Sequence, residues 1–282
     1  MTCRRFLALA MVGTLLLFSQ ALFAAQTIRI ATGHWPPYLN EDLPDDGFLA
    51  EIIRESFANE GIEVKFSFLP WSRALAMAKT ENYQASAVWS CTASRSLDFL
   101  YSARILPYQY VFYHRAGDDF DWESLATLRG EKIGLTQDYS YGETLSGAIE
   151  SGLVSADVTT SDLANFKKLL LDRIDLFPMD PVVGEAMIRN QFASQASRLT
   201  FHPKPLRKAF YHLLFAKKSP DAPDLKRAFD QGLRTLRESG RYEAIIENAL
   251  TENSSPIAAK ILEEKLVNWE GESLPCPPPT GE

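Results

Sequence analysis

The feature that most constrains this chain is its alternation of short strand-like runs with helix-like runs. Residues 27–31 alternate apolar and polar side chains as a strand does, and residues 47–57 follow with a helical spacing of apolar side chains. Residues 64–69 and 85–89 repeat the strand pattern on either side of a helical stretch at 72–79. Alternation of this kind is typical of α/β folds with largely parallel sheets. We therefore predict an α/β protein.

A second series of strand-like and helix-like runs begins after Gly130. It predicts a strand at 132–135, a helix at 165–171 and a buried strand at 175–178 that Pro178 ends. Aromatic, strand-like runs precede and follow this series, at 108–113 and 210–216. Two such connections indicate that the chain leaves one lobe, builds a second lobe and then returns.

The predicted division follows from these two connections. The first lobe comprises residues 26–111 and 212–250, and the second lobe comprises residues 112–211. Residues 251–282 form a C-terminal extension that ends in a Pro-rich tail.

The first 25 residues have the pattern of a secretory signal peptide. Arg4 and Arg5 precede an apolar run at 6–18, and small residues follow, so we expect cleavage after Ala24 or Ala25. The alternative, an uncleaved anchor, is disfavoured because the run is shorter than the roughly 20 residues that span a bilayer. The sequence therefore predicts a periplasmic protein in an oxidising compartment.

Two cysteines, Cys91 and Cys276, follow the predicted cleavage site. They either pair as a disulfide or remain as two free thiols, because sequence alone does not show whether their Cα atoms come close enough to bond.

Charge and motif content exclude several function classes. The chain has 29 Lys and Arg residues against 36 Asp and Glu, a net charge of -7, and no basic run, which argues against nucleic-acid binding. The glycine-rich phosphate-binding, dinucleotide-binding, nucleophile-elbow and zinc-protease motifs are absent. The four histidines are scattered in sequence. We therefore predict no metal, no cofactor and no catalytic residues. We also expect a monomer.

Six short motifs follow one another in a recognisable order. They are Trp35-Pro36-Pro37-Tyr38, residues 47–51, Thr92-Ala93-Ser94-Arg95, residues 130–134, residues 175–180 and residues 236–242. In this order they resemble the bacterial periplasmic solute-binding proteins of family 3, the polar amino acid ABC transporter type, in a divergent branch. The resemblance covers about residues 26–250.

This resemblance implies a type II periplasmic binding protein fold, in which two α/β lobes joined by two hinge strands close over a cleft. The implied function is capture of a small polar solute, an amino acid or related zwitterion, for a membrane permease. Arg95, with Thr92 beside it, would hold the ligand carboxylate, because a guanidinium presents a planar fork to a carboxylate. Asp180 would accept from the ligand ammonium. The alternatives are a surface salt bridge for Arg95 and a helix N-cap for Asp180.

Aromatic residues near these motifs fall at or just after strand ends, where clefts of open α/β sheets form. They could wall the ligand cleft, or they could be ordinary half-buried side chains. The residues that we expect at the cleft on this basis are Trp35, Tyr38, Trp71, Trp89, Tyr139 and the neighbouring Ser140.

The sequence also departs from the family pattern. Leu49 and Gln84 stand where acidic residues are common, and the turn at 136–141 is bulkier than usual. These departures favour a different or modified solute. Two further hypotheses are a periplasmic enzyme of dehydratase type, with Glu51 or Asp180 as general acid or base, and a stand-alone ligand sensor for a membrane kinase.

Overall fold

The computed structural model describes residues 26–80, 82–253, 259–261, 263–264 and 276. The predicted signal peptide and most of the C-terminal extension lie outside the described residues. The strands are β1 Gln26–Thr32, β2 Ile62–Phe68, β3 Ala85–Ser90, β4 Phe99–Tyr101, β5 Leu106–Arg115, β6 Lys132–Thr136, β7 Ser155–Thr159, β8 Phe177–Met179 and β9 Leu199–Ala216. The α-helices are α1 Phe48–Ala58, α2 Trp71–Ala78, α3 Ala93–Asp98, α4 Glu143–Glu150, α5 Asp162–Leu170, α6 Pro181–Gln191, α7 Ala222–Glu238 and α8 Arg241–Asn253.

The larger sheet has the strand order β2-β1-β3-β9-β5-β8, and β4 pairs with β9 outside this path. β1 runs parallel to β2 and β3, whereas β9 runs antiparallel to β3, β4 and β5. The prediction of largely parallel sheets is therefore wrong for the centre of this sheet. The two long aromatic strands β5 and β9 pair with each other because the chain returns along β9 in the opposite direction.

A smaller sheet consists of β6 and β7, which pair in parallel along all five residues of each strand. We call the part built from β1–β4, α1–α3, α7 and α8 lobe 1, and the part built from β6–β8 and α4–α6 lobe 2. β5 and β9 run through both parts, with Leu106 opposite Tyr211 at one end and Arg115 opposite Leu199 at the other. The chain therefore crosses between the lobes along two paired strands.

Pro178 does not end its strand as predicted but lies in the middle of β8. β8 is the edge strand of the larger sheet, and an edge position tolerates the missing N–H of proline. The helix predicted at 165–171 begins three residues earlier, at Asp162. The strand predicted at 210–216 ends as expected but begins eleven residues earlier, at Leu199. The other strands and helices predicted above agree with the structure within about two residues at each end.

The core of lobe 1 depends on a close approach of α1 and α7. Phe57 and Phe229 pack with their ring centroids 5.2 Å apart. A Cβ atom on Gly232 would lie 1.8 Å from the carbonyl oxygen of Ser56, so the contact requires glycine at this position.

Cys91 and Cys276 form a disulfide in the structure, with their Cα atoms 5.2 Å apart. This resolves the alternative that the sequence left open. Cys91 directly follows β3, so the bond fixes residue 276 of the C-terminal extension beside this end of lobe 1. Among the described residues, no helix combines the length and the apolar character needed to cross a bilayer.

Candidate functional site

Arg95 lies on α3 at the boundary between the lobes. Thr92 is the N-cap of this helix, and its hydroxyl accepts a hydrogen bond from the backbone N–H of Arg95 at 3.1 Å. The guanidinium donates to the carbonyl oxygen of Ser90, at 2.9 Å, and to the backbone oxygen of Asp138 in lobe 2. Thr92 therefore fixes the backbone that carries Arg95, and Arg95 joins the two lobes.

The environment of Arg95 is aromatic and partly buried. Its guanidinium carbon lies 4.7 Å from the ring centroid of Trp89. Burial lowers the pKa of Arg95 from its ordinary value, while nearby tyrosines and the Asp138 carboxylate act in the opposite direction. None of the ion pairs found between described residues involves Arg95, so the geometry does not support the alternative of a surface salt bridge. An arginine stays protonated in proteins, so the cleft contains a fixed positive charge.

The predicted aromatic residues of both lobes meet next to Arg95. Trp71 is central: its ring contacts Trp35, Trp89 and Tyr139 edge-on, with centroids 5.9, 5.2 and 6.3 Å apart. The backbone at Gly33 makes room for this indole, because a Cβ atom there would lie 2.3 Å from the Trp71 ring. The structure thus brings these four predicted side chains together.

Two cavities meet at Arg95. The inner cavity, of about 20 Å³, is lined by the aromatic cluster and has room for about one water molecule. The outer cavity, of about 570 Å³, opens between Thr92 in lobe 1 and Gln137 in lobe 2 and is large enough for a small solute. The residues that line both cavities are Arg95, Asp138, Tyr139 and Ser140.

Trp35 presents a polar atom to this site. Its side chain lines the inner cavity and is 3% exposed, and its indole N–H has no hydrogen-bond partner among the described residues. A buried donor of this kind gains free energy when a ligand supplies an acceptor. Ser140 is already engaged, because Arg207 donates to its hydroxyl oxygen at 2.6 Å.

Asp180 occupies a different position, at the start of α6 in lobe 2. It is the N-cap of α6 and accepts from the backbone N–H of Val182 at 2.9 Å, which confirms the alternative of a cap. The hydroxyl of Tyr38, in lobe 1, donates to both carboxylate oxygens at 3.2 and 3.3 Å. Asp180 is fully buried. The described residues that line the two cavities include neither Asp180 nor Tyr38. The two residues form a contact between the lobes, and ligand binding by either remains a prediction.

Burial changes the pKa of Tyr38. It raises the pKa of Tyr38 well above its ordinary value, and the Asp180 carboxylate raises it further. The hydroxyl therefore keeps its proton and serves as a hydrogen-bond donor.

Sequence reasoning missed a second buried carboxylate, Asp162, in the first turn of α5. It accepts from the hydroxyls of Thr136 at 2.5 Å and Tyr139 at 2.8 Å. Burial raises the pKa of Asp162, and the two hydroxyl donors act against that increase. An acidic residue at a helix start was the available signal. Asp162 holds the Tyr139 ring in place at the cleft.

Sequence reasoning also missed Asp138 and Tyr211. Asp138 follows β6 in a turn and has φ +64°, a left-handed conformation that aspartate tolerates better than most residues. Tyr211 comes from β9 and packs against Trp35 with centroids 5.2 Å apart. No local motif marks either residue, because the pairing of β9 with β5 brings Tyr211 to the cleft.

Among the described residues that line the two cavities next to Arg95, neither His212 nor Glu51 is found. His212, Cys91 and Cys276 lie within 4.8 Å of one another, a grouping that sequence spacing did not predict. The two sulfurs form the disulfide, so they are not available as thiolate ligands. Glu51 pairs with Arg241 of α8 at 2.7 Å and lines neither cavity next to Arg95.

Comparisons with known proteins support the fold. The family described as "Bacterial extracellular solute-binding proteins, family 3" matches residues 28–252, and no curated protein matches the chain. A histidine kinase sensor domain with similarity to periplasmic binding proteins superposes with TM-score 0.69 at 21% identity, covering 79% of this chain and 96% of the other.

Two further solved structures share the fold. The arginine-, lysine- and histidine-binding protein ArtJ from Geobacillus stearothermophilus has TM-score 0.66 at 16% identity, with 83% of this chain and 100% of that chain covered. The GluR0 ligand-binding core from Nostoc punctiforme, in complex with L-glutamate, has TM-score 0.63 at 22% identity, with 78% and 98% covered.

These likenesses establish the type II periplasmic binding protein fold that the motifs implied. The family match runs through nearly all of the region that forms the two lobes and the cleft between them. The chain therefore belongs to family 3 of the bacterial extracellular solute-binding proteins.

Proposed function

We propose that this protein captures a small carboxylate-bearing solute, an amino acid or related zwitterion, between its two lobes in the periplasm. The closed form would then deliver the solute to a membrane permease of the ABC type. The observation that carries this proposal is Arg95, a partly buried guanidinium that stands between an aromatic wall and a solute-sized cavity. Proteins of known function with this fold include amino-acid-binding examples, which agrees with the proposal.

The donors of Arg95 are suited to a carboxylate. Its bonds to Ser90 and Asp138 use part of the five N–H groups of a guanidinium, so further donors can reach a solute. The hydrogen bond that the Thr92 hydroxyl accepts from the Arg95 backbone N–H holds the start of α3, and with it Arg95, in place. A charge-assisted, bidentate bond at this position would hold a carboxylate more strongly than a neutral donor would.

For a solute to reach the aromatic wall of the inner cavity, the lobes have to separate. The inner cavity has room for about one water molecule, and contacts between the lobes close its sides. We propose that residues 26–111 and 212–250 move against residues 112–211 about the paired strands β5 and β9. Hinge closure around a ligand, without turnover, is the expected behaviour.

Isothermal titration calorimetry of the exported protein against the twenty L-amino acids and their amine derivatives tests this proposal. We expect binding of at least one carboxylate-bearing solute and a loss of about tenfold or more in affinity for Arg95→Ala, because hydrogen bonds to charged groups contribute about 1.5–3 kcal/mol. Arg95→Lys should recover only part of the affinity, since an ammonium lacks the planar fork.

Arg227→Ala is the matched control. Arg227 is exposed and pairs with Asp224 on α7, so its loss should leave the affinity unchanged. Absence of binding to every carboxylate-bearing solute, or an Arg95→Ala variant that binds as the unsubstituted protein does, would contradict the proposal.

A further inference from the structure

Asp138 lies in the turn after β6 in lobe 2, and Arg95 contacts this turn. Its backbone oxygen accepts from the Arg95 guanidinium, and its carboxylate accepts from the hydroxyl of Ser72 in lobe 1. The side chain lines both the inner and the outer cavity. The left-handed backbone at φ +64° directs the turn so that both groups of one residue face lobe 1.

A solute with a carboxylate and an ammonium on the same carbon needs two opposite fixed charges close together. Among the described residues that line the cavities, the acidic side chains are Asp138 and Asp98. Asp98 is bound by Lys79 at 2.5 Å on the outer rim. The Asp138 carboxylate interacts electrostatically with the Arg95 guanidinium. It is therefore placed to pair with the second charge of a solute that Arg95 holds.

Asp180, the residue that the family resemblance indicates for this role, is differently placed. Its carboxylate is fully buried and accepts from the N-terminus of α6 and from Tyr38. The hydroxyl of Tyr211 also donates to this carboxylate, at 3.5 Å, so a solute ammonium would have to displace tyrosine donors to reach it. The carboxylate of Asp138 is exposed and needs only to exchange its bond with Ser72.

We propose that Asp138 accepts the hydrogen bond of the solute ammonium and so selects zwitterions over simple carboxylates. This inference rests on the function proposed above. The solute would then connect a cation of lobe 1 to an anion of lobe 2, and binding its two charges would favour the closed form. Ser72 would hold the Asp138 carboxylate in position until the ammonium replaces its hydroxyl.

A thermodynamic cycle that combines a protein substitution with a solute substitution tests the proposal. The probes are three matched pairs: L-arginine and 5-guanidinopentanoate, L-glutamate and glutarate, and L-phenylalanine and 3-phenylpropionate. Within each pair only the ammonium differs. Calorimetric affinities are measured for the unsubstituted protein, Asp138→Asn and Asp180→Asn. Asparagine keeps the size of the side chain and also tolerates the left-handed backbone.

For a pair that binds, Asp138→Asn should lower the affinity of the amino form by about tenfold or more and that of the deaminated form by less than about twofold. Asp180→Asn should lower the thermal midpoint, because it weakens a helix cap, and should change both affinities by the same factor. This equal change separates a structural role from direct contact with the ammonium.

The proposal is overturned if Asp138→Asn affects both members of a pair equally, or if Asp180→Asn alone discriminates between them. A third result would refute the role of Asp138 and leave the proposed function intact. In that result the deaminated forms bind, Arg95→Ala abolishes their binding, and Asp138→Asn has no effect on either member of a pair. If the unsubstituted protein binds none of the six probes and none of the wider amino acid panel, the proposed function fails, and this inference fails with it.

Discussion

The bond between Tyr38 and Asp180 gives a direct test of the lobe closure proposed above. It joins lobe 1 to lobe 2 in a site from which water is excluded. Bonds to a charged acceptor contribute about 1.5–3 kcal/mol, and the O···O distances of 3.2 and 3.3 Å are longer than usual, which favours the lower end. We expect Tyr38→Phe to cost the closed form about 1.5 kcal/mol, which raises the open-to-closed ratio about tenfold.

Spin labels on Lys65→Cys in lobe 1 and Leu171→Cys in lobe 2, both exposed positions, would report the distance between the lobes. Pulsed electron paramagnetic resonance should show a larger population at the long distance in Tyr38→Phe. Tyr139→Phe is the matched control, since it removes a tyrosine–aspartate bond of 2.8 Å that lies wholly within lobe 2.

The reasoning fails if Tyr38→Phe leaves the distance distribution unchanged, or if Tyr139→Phe widens it by the same amount. In the first case the bond would not contribute to closure. In the second case the effect would come from general loosening of the fold and not from a contact between the lobes.

Two further predictions concern stability. Gly232→Ala should lower the urea midpoint by an amount equivalent to about 1–3 kcal/mol, because its new methyl group meets the backbone of α1. Gly147→Ala, on an open face of α4, should instead raise stability by about 0.5–1 kcal/mol. Equal effects of the two substitutions would contradict the packing argument. Burial raises the pKa of Asp162 in the folded state, so the stability that this group contributes is present below its unfolded pKa and is lost as the pH rises through the folded value. In urea titrations at several pH values, the stability of Asp162→Asn relative to the unsubstituted protein should therefore increase with pH. A difference in stability that does not change with pH would contradict this reasoning.

Local patterns were enough to predict the residues on the cleft that follow strand ends. Trp35, Trp89 and Tyr139 each come at or just after a strand, and parallel strands present their ends at one edge of a sheet. Thr92 and Arg95 belong to a compact helix-start motif, so their mutual geometry also follows from adjacency. These features depend on contacts within a few residues of chain.

The remaining features depend on tertiary pairing. Tyr211 reaches the cleft because β9 lies antiparallel to β5 in a register that pairs it with Leu106, and no local pattern sets that register. The disulfide joins cysteines that are 185 residues apart in sequence. The position of Asp138 follows from the way lobe 2 meets lobe 1. Contacts of high sequence separation carry information that periodicity within one segment does not contain.

The polar contacts between the lobes also determine how a solute can be selected. Arg95 binds the backbone of lobe 2, Ser72 binds Asp138, and Tyr38 binds Asp180, so the lobes satisfy one another's polar groups in this structure. A solute gains affinity only by the amount that its own bonds exceed those it displaces. A simple carboxylate would bind the remaining donors of Arg95 and leave the bond between Ser72 and Asp138 unchanged. A zwitterion would satisfy both charges at once, and the difference between the two solutes is therefore expected to lie in Asp138.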